Sequence, residues 1–286
     1  KMTEDNNPLS KYYRQPAIYI RLPSNGRYYP PDVFTPTETG EIPVLPMTAK
    51  DELAFKTPDA MINGQGTVDV VKSCIPNLKD PWKMVNYDTD TILLAIRLAT
   101  YGETMDVNYI VPGTNENPKH SISLPDILEK LGRTEIKDDI TTDGGMKIGL
   151  TPLDYKTLTK VSIGRFEQRK MYATIDASAL TEEEKQKAFN KSFDILNKVN
   201  FSLLVDSIKY ITTPEGVTVT DRKQIIDFCD NTPSVILGEI QDKLTALRSQ
   251  AQVPAIKMKS TEEQIKAGAP VNYEIPITFD NSNFFG

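Results

Sequence analysis

The chain has 286 residues, of which 39% are hydrophobic and 25% are charged, and its formal net charge is −6. This composition excludes intrinsic disorder, and a chain of this length can bury a sizeable core. The negative balance, with no local concentration of basic residues, argues against a nucleic-acid partner. The longest strongly apolar run, ILLAI at 92–96, is far shorter than the ~20 residues that cross a bilayer, so no membrane partner is expected.

The first half of the chain predicts short strands followed by helices. Residues 1–16 are polar and interrupted by prolines, which is typical of an arm outside a folded core. Strands are predicted at 17–22 and 41–47, on either side of the segment LPSNGRYYPPD (22–32). Helices are predicted over 48–55, 66–75, 88–102 and 125–132, with Asp88 or Thr89 capping the third and a hairpin at 105–124 before the last.

The second half repeats this order after a polar stretch, 133–146, that is the best candidate for a linker. A strand at 147–153 precedes a helix from 154 and a second helix in which Thr181 and Glu184 form a capping box. The apolar spacing continues this helical pattern over 202–211. A turn or hairpin at 213–220, helices after Thr220 and Thr232, and a hairpin formed by 256–260 and 271–279 complete the pattern.

These elements predict an α+β fold, mostly helical with short strands and β-hairpins. The predicted organisation is an arm, a first α+β domain, a linker, a second and mainly helical α+β domain, and a C-terminal tail, at 1–16, 17–132, 133–146, 147–279 and 280–286. The tripeptide VNY occurs at 107–109 and again at 271–273. Two diverged copies of one strand–helices–hairpin unit would explain this echo, and chance explains it equally well.

Few residues offer catalytic or metal chemistry. His120 is the single histidine, and an exposed surface position is expected for it. Cys74 and Cys229 lie in apolar segments, are expected to be free buried thiols, and are too few for a structural zinc site. The glycine pattern at 63–69 lacks the Gly-Lys-Ser/Thr of a phosphate loop, and 138–145 lacks the final glutamate of a calcium loop. We therefore expect no catalysis, no cofactor, no metal and no small-molecule substrate.

The segment LPSNGRYYPPD can be interpreted as a phosphate-binding loop or as a tight turn. It contains no lysine, and no helix is predicted directly after it. A turn at Ser24-Asn25-Gly26 is therefore the better interpretation, with Asn25 or Gly26 in the positive-φ conformation that most residues avoid. Tyr28, Tyr29 and Pro30 then direct the returning chain.

Several motifs occur together in a fixed order. A strand ends in Leu-Pro-Ser-x-Gly, a Tyr-Pro pair follows, a helix starts with Pro-Met-Thr-x-Lys-Asp-Glu, and an arginine-containing helix ends in Tyr-Gly. In order and spacing these motifs resemble the baseplate hub and hub-assembly family of T-even-like contractile-tailed bacteriophages. The resemblance is clear over about 17–130 and looser afterwards. The motif residues are Leu22, Pro23, Ser24, Gly26, Tyr29, Pro30, Pro46, Met47, Lys50, Asp51 and Glu52.

The resemblance implies a structural component of the tail baseplate, in the hub region, that acts through contacts with other tail and baseplate proteins. A transient hub-assembly chaperone that is absent from the mature virion is the alternative, and a tail-associated cell-wall hydrolase is a third hypothesis. The implied location is the host cytoplasm during assembly and then the virion.

The C-terminal FDNSNFFG carries aromatic residues of the kind that anchor protein–protein contacts. The partner-binding candidates are Phe279, Asn283, Phe284 and Phe285. Folding of these residues onto the chain's own core is the alternative.

Overall fold

The computed structural model describes residues 8–55, 63–176 and 181–277. Within these residues, nine α-helices and ten strands form an α+β fold in which every sheet is small and antiparallel. The predicted fold class, mostly helical with short strands and hairpins, is confirmed.

The first half is built on a two-stranded sheet and four helices. The first two strands pair with Ile20 opposite Ile42, and a second hairpin lies between the third and fourth helices. The elements are β1 (Ile18–Arg21), β2 (Glu41–Val44), α1 (Ala49–Phe55), α2 (Gln65–Cys74), α3 (Asn86–Tyr101), β3 (Thr104–Asn108), β4 (Lys119–Ser123) and α4 (Leu124–Gly132). Short 3-10 helices at Ser10–Tyr12 and Pro81–Lys83 precede β1 and α3.

Helix α3 lies at the centre of the larger hydrophobic core. All residues from Thr91 to Ile96 are buried, whereas a helix that covers a core with one face buries only a stripe. Residues of β1, β2, α2 and α4 surround it in the same cluster. The predicted caps Asp88 and Thr89 are wrong, because the helix begins at Asn86 after Val85 and the Asp88 carboxylate accepts hydrogen bonds from a different part of the chain.

The elements of the second half are β5 (Asp139–Thr141), β6 (Lys147–Leu150), α5 (Tyr155–Asp176), α6 (Glu182–Asp206), β7 (Ile208–Thr212), β8 (Thr218–Val219), α7 (Arg222–Asn231) and α8 (Ser234–Ser249). Its four strands form one antiparallel sheet in the order β5-β6-β7-β8. Two helices, α5 and α6, connect β6 to β7, and the predicted capping box of Thr181 and Glu184 begins α6. The sheet packs with α7 and α8 around Ile148, Ile225 and Ile240 in a second core.

Helices α5 and α6 form an antiparallel hairpin. Arg165 donates to Asn200 at 2.7 Å, Gln168 donates to the Ser192 carbonyl at 3.2 Å, and the ring of Tyr172 stacks on that of Phe189. Residues later in α5 thus contact residues earlier in α6, and the chain returns to the sheet that it left.

Helix was predicted through residue 211, which is wrong for the last part of that segment. Ile208 and Ile211 have helical spacing, but both belong to β7. The register shifts opposite Gly149 and Leu150, so Lys209 is an extra residue in β7. A β-bulge of this kind lets two residues three apart face the same side of a sheet. Both isoleucines are buried in the second core, which is why the strand imitates a helical pattern.

The C-terminal hairpin packs on the hairpin of the first half. It comprises β9 (Ile256–Lys259), α9 (Glu262–Lys266) and β10 (Asn272–Ile275), and the pairing predicted between its strands is confirmed. Val111 shares a small core with Ala269 and Tyr273. The rings of Tyr109 and Tyr273 stack with centroids 6.3 Å apart.

Gly113 and Gly268 bring the loops of these two hairpins together. Gly113 has a φ of +79°, and a Cβ on it would lie 2.3 Å from the carbonyl oxygen of Gly268. Only glycine fits at such a close approach of two backbones.

The predicted domain boundaries stay a prediction, with two structural facts bearing on them. Strand β5 lies inside the predicted linker at 133–146 and is paired with β6. The first VNY spans the end of β3, the first strand of its hairpin, and the second spans the start of β10, the second strand of its hairpin. The echo therefore marks different structural positions, and a duplication also stays a prediction.

Candidate functional site

The segment LPSNGRYYPPD forms a tight turn. Asn25 and Gly26 both have positive φ, at 51° and 73°, as predicted. The Arg27 amide donates to the Ser24 carbonyl at 3.2 Å and closes the turn. Asn-Gly is the favoured pair where both central residues need positive φ. A Cβ on Gly26 would lie 2.6 Å from Cε1 of Phe34, so the ring packed against the turn also requires glycine.

The turn is bound to the first turn of helix α3 through Asp88. The Ser24 amide donates to Oδ1 at 2.9 Å, the Ser24 hydroxyl donates to Oδ2 at 2.5 Å, and the Tyr29 hydroxyl donates to Oδ2 at 2.9 Å. The Tyr29 oxygen in turn accepts from the Val85 amide. Ser24 and Asp88 are both fully buried. This set of residues, Ser24, Tyr29, Val85 and Asp88, is called the Asp88 cluster below.

Burial governs the ionisation of the Asp88 cluster. Desolvation raises the pKa of Asp88 to about 6, although the hydrogen bonds from Ser24 and Tyr29 favour its charged form. Desolvation also raises the pKa of Tyr29 well above its usual value, and the neighbouring Asp88 charge adds to this. Tyr29 therefore stays a hydrogen-bond donor at any physiological pH.

A pH dependence of stability follows from Asp88. Its pKa is about 6 in the folded chain against 3.8 for an ordinary aspartate, so the folded state binds the proton more tightly and the stability that this gives is lost as pH rises through 6. Between about pH 7.5 and about pH 4.5, unfolding free energy should rise by about 2 kcal/mol relative to an Asp88→Asn variant. Urea titrations of both proteins measure this difference. The other carboxyl groups are the same in both proteins, so their contributions to the pH dependence cancel. A stability difference between the two proteins that does not change with pH would contradict the raised pKa of Asp88.

The same turn also contacts the second half of the chain. Arg27 pairs with Asp138 at 3.2 Å and donates to the Ile136 carbonyl at 2.9 Å, and the Tyr28 hydroxyl donates to the other Asp138 oxygen. Beside these contacts lies a cleft of about 780 Å³ between the turn and the four-stranded sheet, and Tyr210 of the sheet is among the residues that line it. Lysine, arginine and aspartate side chains all line it, so it has no dominant charge.

A second cluster surrounds Asp51 at the start of α1. Its Oδ2 accepts from the Thr48 amide and hydroxyl, both at 2.8 Å, and from Arg14 at 3.1 Å. Arg14 also donates to the carbonyl oxygens of Pro46 and Ser73. Burial alone would raise the pKa of Asp51, but these hydrogen bonds and the Arg14 charge hold it below its usual value.

The motif residues form two groups along the chain, at 22–30 and 46–52, and these groups contact opposite ends of α3. Ser24 and Tyr29 bind Asp88 near its start, whereas the Met47 amide donates to Thr100 and Glu52 accepts from Tyr101 near its end. Of the other motif residues, Leu22 and Pro23 are buried, and Pro30 and Lys50 are exposed. Phe279, Asn283, Phe284 and Phe285 lie outside the described residues, so their partner role stays a prediction.

Sequence reasoning missed Arg14, Asp88 as a buried acceptor, and Asp138. Arg14 was assigned to an arm outside the folded core, yet it binds Asp51 and backbone carbonyls of its own chain. A single charged residue amid a polar segment gives no signal of this kind. Asp88 was recognised only as a local cap, because its real partners lie more than fifty positions away.

His120 differs from its predicted exposed position. It lies half-buried in β4 against Tyr273, and its Nε2 is shielded from solvent. Cys74 and Cys229 are free and buried, as predicted. Burial raises the pKa of the Cys74 thiol to about 12 and so keeps it protonated.

Within 8–55, 63–176 and 181–277, no three His, Cys, Asp or Glu side chains are grouped so that they could hold a metal ion. None of the helices in these ranges combines the length and the apolar character that crossing a membrane requires.

The sequence profile of the family described as T4 bacteriophage base plate protein matches residues 19–268. No curated protein and no solved structure matches the chain at a significant level.

Proposed function

Because the chain belongs to the T4 bacteriophage base plate protein family, we propose that it is a structural component of the hub region of a phage tail baseplate. It acts through contacts with other tail proteins and not through catalysis, nucleic-acid binding or a small-molecule substrate. It is made and assembled in the host cytoplasm and then remains in the virion tail.

The observation that carries this proposal is the extent of the family match. Residues 19–268 include both motif groups, both hydrophobic cores and the helical hairpin between β6 and β7. The motif residues support a structural role by their contacts. The Asp88 cluster uses its carboxylate and hydroxyl groups to hold a turn against a helix, and these buried groups are not open to a substrate.

Quantitative mass spectrometry of purified particles tests the proposal. We expect the chain to be recovered in a constant ratio to known baseplate proteins through successive gradients. Recovery from infected-cell lysates but not from particles would favour the alternative, a transient hub-assembly chaperone. The hypothesis of a tail hydrolase is tested separately, since digestion of cell walls by the purified chain would contradict a non-catalytic role.

A further inference from the structure

Strand β1 has an outer edge whose backbone groups point away from its partner strand. Tyr19 lies opposite Pro43 in the β1–β2 pair. Proline has no N–H, so this pair is one whose residues do not exchange ladder hydrogen bonds. In such a pair the backbone N–H and C=O of each residue point away from the partner strand, so those of Tyr19 point outward. The two kinds of pair alternate along an antiparallel ladder, so Arg21, two residues further along β1, also has its N–H and C=O pointing outward.

A cleft of about 650 Å³ runs along this outer edge. It touches every residue from Ala17 to Arg21, including both the core-facing and the solvent-facing residues of β1, and from β2 it touches only Glu41. A cleft that reaches both faces of one strand and avoids its partner lies beside the open edge. The opposite wall comes from the end of α3, from Glu103 just after it, and from α4, and its apolar residues include Leu98, Ala99 and Leu128.

The outward-pointing N–H and C=O of Tyr19 and the N–H of Arg21 lack partners within the described residues. No hydrogen bond from these ranges reaches the Tyr19 N–H, the Tyr19 C=O or the Arg21 N–H. At the Arg21 carbonyl, α4 approaches so closely that a Cβ on Gly132 would lie 3.3 Å from the oxygen. The cleft is therefore closed at the Arg21 carbonyl and open beside Tyr19, whose side chain is 63% exposed.

We propose that this cleft receives an extended segment of another baseplate protein, which adds to β1 as a strand. Unpaired strand edges pair readily with another chain, and main-chain hydrogen bonds supply affinity in this mode of recognition. The inference depends on the proposed function in one respect, namely that the partner is another baseplate protein.

The walls of the cleft define what the added segment must be. One side of an added strand faces Leu98, Ala99 and Leu128, so alternate residues are apolar. The other side faces the ion pairs of Arg21 with Glu41 and of Arg133 with Glu129, so the intervening residues are polar. Because helices wall the edge, a thin extended segment can enter, whereas the β1 edge of a second folded copy cannot approach.

Hydrogen exchange of the Tyr19 amide tests the proposal without a mutation. In the purified chain we expect exchange at the rate of an unprotected amide, and in purified tail particles we expect at least about tenfold slower exchange. Rapid exchange in the particles would overturn the proposal. Slow exchange in the dilute isolated chain would also overturn it, since the cleft would then be occupied by this chain or by a second copy.

A pair of variants separates the backbone donor from the side chain. Both Tyr19→Pro and Tyr19→Ala remove the ring, but only Tyr19→Pro also removes the backbone N–H. That N–H points outward, so the β1–β2 hydrogen bonds remain in both variants. In extracts from infections that lack the protein, half-maximal restoration of infectious particles should require about tenfold more Tyr19→Pro chain, and the Tyr19→Ala chain should match the unmodified one.

The outcomes of this assay are distinguishable. Failure of the unmodified chain to restore particles contradicts the proposed function itself. Restoration by the unmodified and Tyr19→Pro chains at equal concentrations overturns the cleft as a docking site. Should Tyr19→Pro fail to fold by circular dichroism, Ala99→Phe replaces it, because the added ring enters the cleft from the helical wall. Equal restoration by a folded Ala99→Phe chain overturns the proposal in the same way.

Discussion

Asp88→Ala should lower the free energy of unfolding by about 3–5 kcal/mol, because it leaves buried donors without an acceptor. The Ser24 amide, the Ser24 hydroxyl and the Tyr29 hydroxyl all donate to this carboxylate, and Ser24 is fully buried. The substitution also releases the turn from α3, the helix at the centre of the larger core. Urea titration followed by circular dichroism measures the loss.

Two further variants control for charge and shape. Asp242 is exposed in α8, so Asp242→Ala removes the same charge and should change stability by no more than about 0.5 kcal/mol. Asp88→Asn retains the shape and one acceptor oxygen, so at neutral pH its loss should fall between those of the two alanine variants. A loss for Asp88→Ala as small as that for Asp242→Ala would show that the turn does not depend on the Asp88 cluster.

Gly113→Ala should lower the free energy of unfolding by about 2–4 kcal/mol, through left-handed strain and a backbone clash. The new Cβ would lie 2.3 Å from the Gly268 carbonyl oxygen and 2.9 Å from its carbon, both of which are backbone atoms. The two hairpins must therefore separate. Equilibrium unfolding measures the total loss, and hydrogen exchange in β9 and β10 reports whether the C-terminal hairpin has left its place.

Gly40→Ala provides the matched control. Gly40 has a φ of +74°, close to that of Gly113, but a Cβ there would meet nothing within 4 Å. This variant therefore carries the conformational strain without the clash, and we expect a loss of about 1 kcal/mol with no faster exchange in β9–β10. Equal losses for the two variants would mean that the contact between the hairpins contributes little to stability.

Local features of the fold could be predicted from sequence because their causes are local. The Asn25-Gly26 turn follows from the conformational freedom of these two residues. The apolar spacing over 88–102 identified α3, and the capping box at Thr181 identified the start of α6. Both hairpins were predicted from strands on either side of polar loops.

Features that depend on distant contacts could not be predicted in this way. The bulge at Lys209 makes Ile208 and Ile211 match a helical spacing, and only pairing with β6 determines that they form a strand. Arg14 and Asp88 find partners far along the chain, and no periodicity records such partners. The open edge of β1 depends on the register that places Tyr19 opposite Pro43, which sequence alone does not specify.

The hairpin of α5 and α6 has a consequence for how the family can vary. The sheet constrains only the distance between the end of β6 and the start of β7, and antiparallel helices satisfy that distance at any length. With 22 and 25 residues, the helices extend about 33 and 37 Å at 1.5 Å per residue. Adding or removing matching turns from both helices changes this reach and leaves the sheet register intact. The outer part of the hairpin can therefore change in length without any change in the strand pairing of the sheet.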